Sequence, residues 1–298
     1  MIWALVIAAL SAIAILPIYQ EAKRSPVTAV DRAAAPGRMV SLTQGETYMR
    51  WHGPARGPVI VAIHGLTTPS QVFDELAGRL APLGYRVLSY DLYGRGLSDR
   101  VPGPQNTAFF LRQLDDLLTD QGLDQDVILM GYSMGGAIAA AFAAAQPHRV
   151  GRVILLAPAG ITTAEPRFWH VARRIPVLGD WLAGTFGASV LTAEIPRPSP
   201  MEDVLRAELG RRGYLAAILS SRRHVLFQRQ ETAHRLLGRE DVPVTAIWGG
   251  QDTVIPLRAL GVLSQWNRNT RQEVVPDADH SLPWRHAQQV VDILRRAD

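Results

Sequence analysis

Short apolar runs bounded by turn residues alternate with stretches of helical period along most of this chain, and few folds accommodate that rhythm. "PVIVAIHG", "YRVLSYD", "QDVILMGYS", "RVILLAPAG", "PVTAIWGGQD" and "QEVVPDADH" each read as a strand. A strand covered on both faces is apolar along its whole length. Between and after them, "FDELAGRLAPLG" (closed by Gly84), "TAFFLRQLDDLLTDQG", "MGGAIAAAFAAAQ" and "AQQVVDILRRA" carry helical spacing. Successive strands joined through helices pair in parallel, so the expected class is α/β, with a mostly parallel, doubly wound sheet. At 298 residues and 47% hydrophobic content, the chain can bury one large core or two modest ones.

Two regions depart from the rhythm. Residues 162–228 show no strand and are rich in helix-compatible apolar side chains, among them Phe168, Trp169, Ile175, Val177, Trp181 and Phe186. An insertion between parallel strands emerges at the carboxyl edge of the sheet, where sites in open α/β sheets lie. The segment is therefore expected to form a helical cap, with 40–161 and 229–298 as the core; an ordinary pair of packing helices is the alternative, since apolar stripes usually mean core. At the amino end, residues 1–19 carry no charge and are followed at once by Glu21, Lys23 and Arg24. That length suits a transmembrane anchor. A cleaved signal peptide, with Ala12-Ile13-Ala14 as the small-residue site, is the alternative, although the basic amino-terminal region it needs is missing; a buried core helix is a third. Lys23, Arg24, Arg32 and Arg38 on the carboxyl flank favour a body left in the cytoplasm. Residues 20–39, with Pro26 and Pro36, read as a linker.

The net charge of +4 is spread over short arginine pairs, and without a basic run interleaved with aromatics a nucleic-acid partner is not expected. The absence of cysteine excludes thiolate metal sites and a cysteine nucleophile.

The chemistry gathers at "GYSMGG", Gly131 to Gly136, which follows a strand-like run and opens a helical one. That setting is what a nucleophile elbow requires: a tight turn with glycines where backbone must approach closely, lifting Ser133 above the sheet edge. A serine hydroxyl needs a base. Of eight histidines, His280 lies after the last candidate strand and before the final helix, the place expected in the chain order Ser, Asp, His. Asp252, directly after the preceding strand, is the expected orienting carboxylate, with Asp277 and Asp279 as rivals by proximity. The oxyanion donors are expected from the backbone of Met134 and of Leu66, Thr67 standing second for the latter. His64 reads as a loop-shaping residue, and Asp91, at a strand end, as structural. "YDLYGRG" lacks the spacing of a phosphate loop. No metal-ligand spacing accompanies His286.

In "HGL", "YDLYGRGLSD", "GYSMGG", "GGQD" and the late "DH", the chain resembles the α/β-hydrolase superfamily from about Val40 to the carboxyl end. The resemblance implies Ser133, Asp252 and His280 as nucleophile, acid and base, no cofactor, and a variable cap at 162–228. Dehalogenases and epoxide hydrolases of the superfamily carry aspartate where Ser133 stands. Asp279 occupies a position where glycine usually precedes the histidine. "HGLTTPSQVFDELAGRLAPLGYRVLSYDLYGRGLSDR" is similar to lipase, lysophospholipase and monoacylglycerol-lipase-like carboxylesterases, which implies a small lipophilic ester as substrate. "HSLPWRHA" is similar to the carboxyl end of C–C bond hydrolases, but those carry a glycine-rich loop where Leu66-Thr67-Thr68-Pro69 stands. Thioesterase, lactonase and cofactor-free haloperoxidase activities use the same triad. A hydrolase-fold binding protein is the non-enzymatic alternative.

Overall fold

The computed structural model describes residues 1–296. Eight strands form one sheet: β1 (Arg38–Leu42), β2 (Gly45–His52), β3 (Val59–Ile63), β4 (Arg86–Tyr90), β5 (Val127–Tyr132), β6 (Val150–Leu156), β7 (Val244–Gly249) and β8 (Arg271–Val275). Their order is β1-β2-β4-β3-β5-β6-β7-β8. β3 to β8 run parallel, while β2 pairs antiparallel with both β1 and β4. The six apolar runs are the six parallel strands. The first two strands, "RMVSL" at the sheet edge and "GETYMRWH" beside it, escape the apolar-run criterion because they are only partly covered, and half-covered strands tolerate polar side chains.

The helices are α1 (Ile2–Lys23), α2 (Ala29–Ala34), α3 (Asp74–Leu80), α4 (Thr107–Asp120), α5 (Met134–Ala145), α6 (Arg167–Arg174), α7 (Leu178–Glu194), α8 (Glu202–Leu209), α9 (Tyr214–His224), α10 (Glu231–Arg239), α11 (Arg258–Trp266), α12 (Leu282–Arg285) and α13 (Ala287–Arg295). Ala297, at the end of the expected final helix, lies outside the described residues. α4 shows why these segments coil. Asn106 caps it by accepting the Phe109 N–H (2.9 Å), and Phe110, Leu114, Leu117 and Leu118 bury one face at three- and four-residue spacing. α5 is buried along nearly its whole length. Its small side chains let it lie close to β5 and β6 at the centre of the sheet, with the start of the helix beside the end of β5.

Between β6 and β7 the chain leaves the sheet for α6 to α10. α10 falls beyond residue 228 and packs on α5. The other four helices span the segment 162–228.

α1 has no buried residue and is long and apolar enough to cross a membrane, a property shared with signal sequences. Its second half docks on α7: Trp181 Nε1 donates to the Ile13 carbonyl (2.7 Å), and Pro17 lies over Gly184, where an added Cβ would come within 2.7 Å of the proline ring. Residues 20–39, read as a linker from composition, are held in place. The Ser25 N–H donates to the Gly210 carbonyl (3.0 Å), the Arg212 N–H to the Ser25 carbonyl (2.9 Å), and Arg211 pairs with Asp31 at 2.9 Å. Asp31 also closes a capping box with Thr28 at the start of α2. Proline and polar residues signal loop locally, and these partners arrive only through the tertiary fold.

Candidate active site

β5 ends at Tyr132 and α5 begins at Met134, so Ser133 alone makes the turn. Its φ of 52° and ψ of −116° lie outside the regions ordinary for an L residue, a strain of about 1–3 kcal/mol that the surroundings must hold. They do so with three hydrogen bonds: Ser133 N–H to the Leu156 carbonyl, and the Ser133 carbonyl accepting from Gly136 and Ala159, each 2.9 Å. The glycines supply room. A Cβ at Gly131 would sit 2.3 Å from the Gly135 carbonyl oxygen, one at Gly135 1.9 Å from that of Ile63, and one at Gly136 2.7 Å from Pro158 Cβ.

The structure brings the three predicted side chains into one line. Ser133 Oγ lies 3.0 Å from His280 Nε2, and His280 Nδ1 lies 2.7 Å from Asp252 Oδ2. The Asp252 side chain is fully buried. Its other oxygen accepts the N–H groups of Val254 and Ile255, both at 2.8 Å. With Oδ1 so occupied, Oδ2 is left to face the imidazole, which fixes Nδ1 as the protonated nitrogen and Nε2 as the acceptor for the serine proton. The rivals are elsewhere. Asp277 is exposed. Asp279 turns back to accept from the backbone and hydroxyl of Ser281, with Arg285 at 3.7 Å. Burial alone would raise its carboxyl, but the Ser281 donors outweigh burial and hold it below the ordinary value. An aspartate in place of glycine therefore caps its own loop and leaves the ring to Asp252.

The Met134 and Leu66 N–H groups meet no protein acceptor among the described residues, and Leu66 and Thr67 line the cavity beside Ser133. His64 and Arg95 set the Leu66 loop. His64 is fully buried, donates from Nδ1 to the Gly65 carbonyl (2.8 Å) and accepts the Leu92 N–H at Nε2 (2.8 Å). Burial lowers its pKa to about 3, so it stays neutral and takes no part as a base. Arg95 is also fully buried. It donates to the carbonyls of Leu66 and Tyr93 (both 3.0 Å), to Gln105, and to Ser221 Oγ (2.8 Å) on α9. One side chain thus joins the Leu66 loop to the inserted helices. Its only trace in the sequence is the "YGRG" turn, a poor match to a phosphate loop. Asp91 is structural, accepting the N–H groups of Ser70 (2.7 Å) and Leu97 (2.8 Å) beneath Gly96.

The serine opens into a cavity of about 480 Å³, within the ~300–1,000 Å³ usual for ligand pockets. Its apolar wall comes from Leu191, Ile195, Leu205, Leu209 and Leu226 of the inserted segment and from Trp284. The six apolar residues singled out from the sequence are not among its walls. Trp169 is fully buried behind Arg222, while Ile175, Val177 and Phe186 are exposed on the outer surface. Apolar content cannot say which face of a helix turns inward.

A family model described as serine aminopeptidase, S33, matches residues 54–282. A 2-hydroxy-6-oxononadienedioate/2-hydroxy-6-oxononatrienedioate hydrolase of Burkholderia vietnamiensis is 28% identical over 90% of this chain and 99% of its own. The chain spans 64% of the length of uncharacterized mycobacterial proteins that it matches at 26% identity. Among solved structures, the enol-lactonase of Burkholderia xenovorans LB400 superposes with a TM-score of 0.72 at 23% identity, over 86% of this chain and 99% of that one. A membrane phospholipase A superposes with a TM-score of 0.67 at 20% identity, over 99% of this chain and 96% of that one.

Proposed function

The chain belongs to the serine aminopeptidase S33 family of the α/β-hydrolase superfamily, and from that premise we propose that it is a membrane-anchored esterase acting on carboxylic esters with an apolar acyl chain. The observation that carries this reading is the Ser133–His280–Asp252 line opening into an apolar cavity. Ser133 Oγ attacks the ester carbonyl as His280 Nε2 takes its proton, and Asp252 steadies the resulting imidazolium. The carbonyl oxygen, now negative, is received by the Met134 and Leu66 N–H groups, each such donor being worth about 3–4 kcal/mol in the transition state. His280 returns the proton to the leaving alkoxide. Water, activated by the same base, then releases the acid from the acyl-enzyme.

The helices α6 to α9 act as the cap in this reading. α1 serves as the anchor, with the body on the cytoplasmic face because the basic residues follow the apolar segment. Docking of Ile13 and Pro17 on α7 favours an anchor kept in the mature protein over a cleaved signal. Phe186 stacks edge-on against Trp181, beside that docking site, and Val177 at the start of α7 is 83% exposed; these apolar side chains extend the membrane-facing surface onto the cap.

C–C bond hydrolysis is the second reading, favoured by the Burkholderia vietnamiensis relative. The absence of a glycine-rich run after Gly65 argues for the ester. Full-length protein in detergent, assayed on p-nitrophenyl esters of increasing acyl length and on a 2-hydroxy-6-oxodienoate, tests both. We expect turnover to rise from acetate to longer chains and to vanish in Ser133→Ala. Faster cleavage of the dienoate than of any ester, or a preference for acetate, overturns the proposal.

A further inference from the structure

Four arginines of the described chain are buried: Arg24, Arg95, Arg149 and Arg222. Three are engaged by protein acceptors: Arg24 by Glu21 and Leu209, Arg95 as described above, and Arg149 by Asp115 and the Leu123 carbonyl. Arg222, on α9, is the exception. It is 7% exposed and lies with its guanidinium 4.5 Å from the centre of the Trp169 ring. It donates no hydrogen bond to the described residues, and its Nε is buried without a partner. Arg222 lines the same cavity as Ser133.

The charged groups around it do not close this gap. Glu165 is taken by Arg173 (2.8 Å) and His170 (3.0 Å). Glu194, at the end of α7, also lines the cavity and is the largest favourable influence on the guanidinium, yet it forms no ion pair with it. The Tyr214 hydroxyl donates to the Thr67 carbonyl (2.7 Å). Burial lowers the Arg222 pKa to about 10, so the side chain remains a cation at neutral pH. A guanidinium presents five donors in a planar fork that matches two oxygens of an anion. Held over an indole in the cavity that Ser133 lines, with none of those donors used by the protein, it is arranged to be completed by a ligand.

We propose that Arg222 is a specificity-determining residue that receives an oxyanion of the substrate, a carboxylate or a phosphate, on an ester whose carbonyl is presented to Ser133. The inference rests on the esterase reading and narrows it. The substrate is amphiphilic, with its apolar portion against Leu191, Ile195, Leu205 and Leu209 and its anionic end at the inner face of α9. A carboxylate would belong to the acyl side, as in a half-ester of a dicarboxylic acid. A phosphate would belong to the alcohol side, as in a lysophospholipid.

Two matched pairs separate these sources: the p-nitrophenyl half-ester of a dicarboxylic acid against the neutral acyl ester of equal length, and a lysophospholipid against a monoacylglycerol of equal acyl chain. Each is measured as kcat/KM with full-length protein in detergent, and as Kd with Ser133→Ala, which needs no turnover. For at least one pair, Arg222→Met should lower the charged-to-neutral ratio by roughly 10- to 100-fold, the loss of a charge-assisted hydrogen-bonded pair. Arg222→Lys, which keeps the charge but loses the fork, should fall between. A ratio that stays within about threefold of the native one for both pairs in both variants, charged and neutral compounds weakening together, means that Arg222 only packs against Trp169, and overturns the proposal. Failure of the esterase reading is distinguishable: no compound is then turned over, while the Kd ratios in Ser133→Ala still decide the role of Arg222.

Discussion

Replacing Asp252 by asparagine isolates the one task that the structure leaves to this carboxylate. Oδ1 accepts two backbone N–H groups, from Val254 and Ile255, at 2.8 Å each, and an asparagine must keep an oxygen there. The reversed amide would set its NH₂ against both donors, leaving buried polar groups unsatisfied at about 1–3 kcal/mol each. The asparagine NH₂ therefore takes the place of Oδ2, 2.7 Å from His280 Nδ1, and offers a proton where the native group accepts one. The imidazole answers by moving its own proton to Nε2, 3.0 Å from Ser133 Oγ, and the base is lost to the wrong tautomer. The expected fall in kcat is roughly 10³- to 10⁴-fold, or about 4–5.5 kcal/mol of barrier. Because both backbone N–H groups keep their acceptor, stability should fall by no more than about 2 kcal/mol, the weakening of bonds to a charged group. Saturating p-nitrophenyl ester hydrolysis reads the first number, and thermal unfolding of the same preparation reads the second. Turnover within tenfold of the native protein would refute the tautomer reasoning; a variant unfolded at the assay temperature would refute the orientation assigned to the amide.

Two further predictions concern the scaffold. Gly135→Ala drives a Cβ to 1.9 Å from the Ile63 carbonyl oxygen, a clash with β3 that no rotamer relieves, and should cost more than about 3 kcal/mol. Gly78→Ala, in α3 with no atom within 4 Å of the added Cβ, should instead add about 0.5–1 kcal/mol; equal melting temperatures for the two would sink the steric account. Glu208, on α8, accepts the Gly96 N–H at 2.8 Å, and burial raises its carboxyl from 4.5 to about 7. Between those values the folded protein holds a proton that the unfolded chain has released, so stability falls as pH rises through this window, by at most about 3 kcal/mol. Glu208→Gln, which keeps an oxygen for Gly96, should flatten the profile of melting temperature against pH over that range, and an unchanged slope would assign the dependence to another group.

What the sequence carried of this fold and site divides along one physical line. Features set by local covalent geometry were legible. Apolar runs became the six parallel strands, and Gly84, at a φ of 90°, closed the short turn that follows α3. "GYSMGG" marked a strand–turn–helix elbow because only glycine fits where Gly131, Gly135 and Gly136 meet backbone and Pro158. The places of Asp252 and His280 followed from their order after successive strands. The half-covered strands β1 and β2, at one end of the sheet, were silent because partial burial does not demand an apolar run. The apparent linker, residues 20–39, gave no sign of its anchorage, since Asp31 and Arg211 lie 180 residues apart.

The inner surface of the cavity belongs wholly to the tertiary structure. "FWHVARR" and its neighbours announced apolar helices, yet the packing sent Trp169 inward and Val177 to the surface. Arg95 and Arg222 look alike as letters among many arginines. The sequence determined that a serine stands on a tight strand-to-helix turn, because one residue's backbone and its immediate neighbours fix that; its reach to His280, 147 residues on, is closed by the fold. Only the fold decided that Arg95 is filled by protein acceptors and Arg222 is not, because a side chain's partners are set by which distant segments close around it.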